Sequence, residues 1–98
     1  MQVHSSEEFE KEVLNYQGKV IVDFFANWCG PCMMQGPILE EFEETHPEIK
    51  CVKVDTDECP GIAREFSVVS IPTLVALENG EIVKKAIGLT QDLEDLFE

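Results

Sequence analysis

Apolar positions along the chain switch repeatedly between a helical and a strand rhythm. A short strand near Gln2–His4 leads to Ser5 or Ser6, either of which can cap a helix with Glu7 and Glu8 in its first turn. Phe9, Val13 and Tyr16 share one side of that helix, and Gly18 is expected to end it. Val20-Ile21-Val22-Asp23-Phe24-Phe25 is apolar but for one acid and reads as a central strand buried on both faces. Met33, Met34, Ile38, Leu39 and Phe42 then fall on one side of a second helix reaching about Thr45, opposite Glu40, Glu41, Glu43 and Glu44. Met34 is expected in the core; Met33 is either core or a soft exposed contact beside Cys32. Pro37, inside this helix, removes a hydrogen bond and predicts a bend.

The second half repeats the alternation. His46-Pro47 closes the helix, and Ile49 to Val54 forms a strand that carries Lys53. A third helix is expected over 58–66, with Ile62, Ala63 and Phe66 inward. Strands at Thr73–Leu77 and Ile82–Ala86 flank Glu78-Asn79-Gly80-Glu81, whose Asn-Gly pair fits a type I′ turn and predicts an antiparallel hairpin. Gly88 interrupts the chain, and Thr90 is expected to cap a last helix that turns Leu93, Leu96 and Phe97 inward. The predicted order is βαβαβαββα.

Candidate chemistry sits where the Asp23 strand gives way to the second helix, at Trp28-Cys29-Gly30-Pro31-Cys32. Two cysteines at this spacing can close a small disulfide ring, and the free N–H groups of a helix start favour a thiolate over a thiol. Cys29 is the expected attacking sulfur. Cys32 lies one turn further in, more shielded, and is better suited to resolve a mixed disulfide. The alternative is half of a zinc site. It lacks partners, because Cys51 and Cys59 form no second CxxC and His4 and His46 have no ligand spacing; no metal is expected. Cys51 reads as a small buried hydrophobe. Cys59, near a helix start, could be more reactive but also reads as packing. Asp23, if buried, has its pKa raised by desolvation and could shuttle a proton for the thiols. It could instead face a solvated rim or pair with a lysine.

Ninety-eight residues, 44% of them hydrophobic, fit one domain spanning 1–98 with a core of its own. No apolar run is long enough for a membrane span. Twenty acidic against seven basic residues give a net charge of −13, which repels nucleic acid and anionic lipid surfaces. The first eight residues carry neither the basic segment nor the apolar core of a signal peptide, so a reducing cytoplasm is the expected location.

Several separated signals together resemble the thioredoxin family across nearly all 98 residues. They are the Asp23 strand running through Ala26 into Trp28-Cys29-Gly30-Pro31-Cys32, then Pro37, Lys53-Val54-Asp55, Ile71-Pro72-Thr73, the Asn79-Gly80 hairpin and Gly88. The resemblance implies a three-layer α/β/α thioredoxin fold around a central mixed sheet and a protein-disulfide reductase working by dithiol–disulfide exchange. Thioredoxins themselves illustrate both the acidified CxxC thiol and the reducing couple. Carried over by position, Cys29 is the nucleophile, Cys32 the resolving thiol and Cys29–Cys32 the disulfide of the oxidised state. Asp23 accepts the proton of Cys32, with Lys53 as its charged neighbour, and Gly30 and Pro31 help set the potential. Local sequence leaves the Ile71–Pro72 isomer open; the resemblance implies a cis-proline facing the thiols. It also implies that the Ile71 backbone binds an extended substrate segment, and that Trp28, Ile71 and Gly88 form an apolar docking collar.

No organic cofactor is implied, since two sulfurs carry the electrons. The partners implied are disulfide-containing proteins and a separate reductase; a monomer is the simplest expectation. Four positions depart from the family pattern: Met33 stands where a basic residue is common, Phe25 replaces a frequent tryptophan, and Gln35-Gly36 replaces a more apolar pair. Gly36 beside Pro37 is expected to loosen that turn. An oxidase or isomerase on the same fold, and a non-enzymatic clamp, are the competing readings. The equilibrium of the pair against glutathione separates the first, and a double Cys29→Ser, Cys32→Ser variant the second.

Overall fold

A computed structural model describes residues 1–98. Strand β1 (Gln2–Val3) precedes helix α1 (Ser6–Phe9), which continues as a π-turn over Glu10–Leu14. Strand β2 (Lys19–Phe25) and helix α2 (Gly30–Thr45) follow, then β3 (Ile49–Asp55) and α3 (Pro60–Glu65). The hairpin strands β4 (Thr73–Glu78) and β5 (Glu81–Ile87) lead to a closing 3₁₀ segment, Leu93–Phe97. The five strands form one mixed sheet in the order β1-β3-β2-β4-β5, with β2 parallel to β3 and antiparallel to β4.

Side-chain alternation along β2 sorts the two faces. Val20, Val22 and Phe24 join Phe9 and Val13 of the first helical segment and Ile62 and Ala63 of α3 in the larger core. Ile21 points the other way and packs with Cys51, Leu74 and Ala76 under Leu39 and Phe42 of α2 and under Leu93 and Leu96. The result is the three-layer α/β/α arrangement that the family resemblance implies. By the same period, Asp23 lies on the α2 face and is register-paired with Lys53 of β3. No helix is long and apolar enough to cross a membrane.

Four local expectations are corrected. The first helix ends before Gly18: the Asn15 N–H reaches back to the Glu10 carbonyl at 2.8 Å in the π-turn, and Gly18 serves at φ +139° as the lead-in to β2. The third helix is shorter than 58–66, because Pro60, with no N–H to give, opens it at its first turn. Thr90 caps nothing; its backbone is bonded to Gln35, and the chain turns helical only at Leu93, as 3₁₀. Met34 is 59% exposed, whereas Gln35 and Gly36 are buried. The buried set Cys32, Gln35, Gly36, Leu39 and Phe42 keeps a helical period, and Met34, two residues from Cys32, falls about 200° around the axis.

The hairpin is as expected. Asn79 and Gly80 have φ of +52° and +82°, the two positive values a type I′ turn needs. Asn79 also ties the turn to the start of β2: its side-chain carbonyl accepts the Gly18 N–H at 2.9 Å, and its own N–H donates to the Gly18 carbonyl at 2.9 Å. A Cβ on Gly80 would stand 2.5 Å from the Leu14 carbonyl oxygen. Gly80→Ala is therefore expected to cost about 2 kcal/mol or more in urea unfolding, through backbone strain plus that clash. Gly61→Ala in α3, whose nearest neighbour is the Arg64 guanidinium at 3.9 Å, should cost nothing.

Candidate active site

Cys29 and Cys32 are joined by a disulfide, with Cα atoms 5.2 Å apart. Cys29 is the N-cap of α2, in extended conformation, and its sulfur accepts the Cys32 N–H at 3.2 Å. A donor aimed at sulfur from the first turn of a helix stabilises negative charge there. Pro31 suits this first turn because the N–H it lacks would have no helical acceptor. Both cysteines are covered, Cys32 (2% exposed) more than Cys29 (6%), in a small apolar cluster with Phe25, Ala26 and Ile71.

The loop before β4 closes over the bridge. The Ile71–Pro72 bond is cis, as the family resemblance implied, and the Ile71 carbonyl oxygen lies 3.7 Å from Cys29 Sγ. Pro72 is buried and Ile71 half-buried. Thr73 steadies the loop by donating its hydroxyl proton to the Ser70 carbonyl at 2.7 Å. The Pro72 carbonyl in turn accepts the Gly88 N–H at 2.8 Å, which brings Gly88, at φ +92°, alongside.

Trp28 is not core. It is 72% exposed, and its indole N–H donates to Asp57 at 2.8 Å. Asp57 is held by its own loop: its N–H donates to the Asp55 carboxylate at 2.9 Å, and Thr56 caps the Phe25 carbonyl with both its N–H and its hydroxyl. Nothing local in the chain signals this partnership, since Asp57 matches no motif. The pairing of Gln35 leaves no local signal either. Its side-chain N–H donates to the Thr90 carbonyl at 2.9 Å and its carbonyl accepts the Thr90 N–H at 2.8 Å.

Asp23 is fully buried, and neither carboxylate oxygen has a hydrogen-bond partner. Desolvation drives its pKa up from 3.8 to about 6, against the opposing pull of the Lys53 charge. Lys53 makes no close ion pair with it; its ammonium rests 4.4 Å above the Phe25 ring. The solvated-rim alternative for Asp23 is thereby removed. Cys51 and Cys59 are free and buried. Burial, with Glu43 adding, pushes the Cys51 thiol up to about 12. Burial and then Glu58 raise Cys59, so its place at the start of α3 confers no thiolate character.

A disulfide at the mouth of a helix, faced by a cis-proline loop, defines a thiol–disulfide oxidoreductase. The Thioredoxin family model matches residues 1–98. A thioredoxin of Chlamydia trachomatis is 43% identical over 89 residues, covering 91% of this chain and 85% of that protein. The bifunctional thioredoxin reductase/thioredoxin of Mycobacterium leprae is also 43% identical; the match covers 90% of this chain and 21% of that longer protein. The structure of Plasmodium falciparum thioredoxin superposes with a TM-score of 0.89 at 33% identity, over 98% of this chain and 93% of the other. The chain belongs to the thioredoxin family, and its activity is protein-disulfide reduction by dithiol–disulfide exchange. Its partners are disulfide-bearing substrates and a reductase.

Proposed function

We propose that Cys29 opens the substrate disulfide and Cys32 resolves the product. The Cys29 thiolate attacks one substrate sulfur; that S–S bond breaks, a mixed disulfide forms, and the other substrate sulfur leaves as a thiolate that takes a proton from water. Asp23 then accepts the Cys32 proton. The Cys32 sulfur attacks Cys29 Sγ, closing the Cys29–Cys32 bridge and releasing the second substrate thiolate. Two electrons pass to the substrate, and a separate reductase returns them. Lys53 holds the Asp23 proton affinity below what burial alone would set, and Gly30 and Pro31 tune the couple from within the ring. Trp28, Ile71, Pro72 and Gly88 form the docking edge, where the Ile71 main chain pairs with an extended substrate segment. Free thiols at Cys51 and Cys59 suit a reducing cytoplasm, where the protein acts as a monomer.

The carrying observation is the asymmetry of the pair. Cys29 Sγ takes a backbone N–H and faces the Ile71 carbonyl, while Cys32 lies deeper in the helix. Reduced protein treated with limiting iodoacetamide at pH 7 is therefore expected to be alkylated first at Cys29, as read by peptide mass spectrometry. Alkylation of Cys32 first would reverse the order of attack.

A further inference from the structure

The Gln35 amide is fully buried yet belongs to neither the sulfur chemistry nor an apolar core. We propose that Gln35 is a positioning residue that holds the Gly88–Thr90 edge of the docking surface at a fixed height above the disulfide, and so sets affinity for protein substrates. The inference rests on the reading of Ile71, Pro72 and Gly88 as the docking edge.

A closed circuit of contacts carries it. Gln35 stands one turn beyond Cys32 on α2 and grips Thr90 with both ends of its amide, at 2.8 and 2.9 Å. The Thr90 hydroxyl donates to the Gly88 carbonyl at 3.1 Å, and the Gly88 N–H donates to the Pro72 carbonyl at 2.8 Å. Ile71, joined to Pro72, returns to Cys29 Sγ at 3.7 Å. The helix that bears the cysteines therefore supports the far side of the cleft through one side chain. Between β5 and the 3₁₀ segment no other side chain from α2 makes a hydrogen bond to the main chain. An apolar residue at position 35 fills the same space but leaves the Thr90 N–H and carbonyl without partners. Those groups then turn to water and carry Gly88 with them. The sulfurs, their helix cap and Asp23 are untouched by that movement.

Gln35→Leu is the first test, with Gln35→Met as a second variant of similar volume should the leucine protein fail to fold. With insulin as the disulfide substrate, KM is expected to rise by about tenfold, the loss of two hydrogen bonds, with kcat unchanged. The rate with the small reagent DTNB and the equilibrium of the cysteine pair against glutathione should stay as in the parent. Amide exchange of the Gly88 N–H should quicken, while that of Val22 in β2 does not change. A merely structural role would lower thermal stability without this split between KM and kcat. Unchanged insulin KM and unchanged Gly88 exchange would overturn the inference, as would a Thr90 N–H that exchanges in the parent protein like an open amide. Ile71→Ala, assayed in parallel, separates the two failures. If it raises the insulin KM while Gln35→Leu does not, the role of Gln35 alone is lost. If neither raises it, the docking edge itself is wrong.

Discussion

Cys32→Ser is expected to end turnover and leave Cys29 covalently joined to its substrates. The first attack needs only Cys29, whose helix-cap position and Cys32 backbone donor survive the change, since a backbone N–H remains at position 32. The second attack has no sulfur left to perform it. Mixed disulfides should therefore accumulate to one per protein, visible on non-reducing gels and by mass spectrometry and released by dithiothreitol. Cys29→Ser should abolish both reduction and adducts, because Cys32 lies deeper and has no helix cap to stabilise its charge. A Cys32→Ser protein that yields no thiol-linked partners from cell extract would rule out the exchange sequence. The same experiment names the substrates, which the shape of the cleft does not.

Asp23→Asn should change both the second step and the response of stability to pH. The carboxyl titrates near 3.8 when exposed and at about 6 when folded. Between those values the native state keeps a proton that the unfolded chain has released, so the unfolded state binds fewer protons and stability falls as pH rises. The contribution is complete below about pH 4 and gone above pH 6, a difference of about 3 kcal/mol at 1.36 kcal/mol per tenfold in proton affinity. Asparagine does not titrate. Urea unfolding between pH 4 and 8 should show the decline in the parent and a flatter profile in the variant. The variant's buried amide is left without a partner, as the carboxyl it replaces is, and that cost does not vary with pH, so the slope is the diagnostic quantity. At pH 7 the release of substrate from the mixed disulfide should slow by up to about a hundredfold, the usual weight of one positioned base. Equal slopes in the two proteins would remove Asp23 as the buried titrating group.

The parts of the site that could be read from sequence are those where a residue type is costly outside one setting. An acid within Val20-Ile21-Val22-Asp23-Phe24-Phe25 has few reasons to be there, and its burial follows from the strand's position between β3 and β4. The Asn79-Gly80 pair announces a turn because only such residues accept two positive φ values without strain. The cysteine spacing announces a ring. What escaped was the inward face of α2. Hydrophobicity assigned Met34 to the core and gave Gln35 no place, yet the helix period set by Cys32, Leu39 and Phe42 puts position 35 inside. A polar side chain there is acceptable only because a particular backbone segment, distant in sequence, brings a donor and an acceptor to meet it. That segment also holds Thr90 out of the helix-cap role its residue type suggests. Its hydroxyl looked like a helix cap, whereas its peptide groups were already engaged by Gln35. Trp28 and Asp57 follow the same rule, since a long-range pairing leaves no local trace.

Trp28 is the only indole in the chain, one residue from Cys29 and mostly in water. Intrinsic emission excited at the long-wavelength edge, where Tyr16 does not absorb, thus issues from a single indole beside the redox bridge. Opening of that bridge, or the arrival of a protein over it, can be followed in real time with no dye attached and no second indole to subtract.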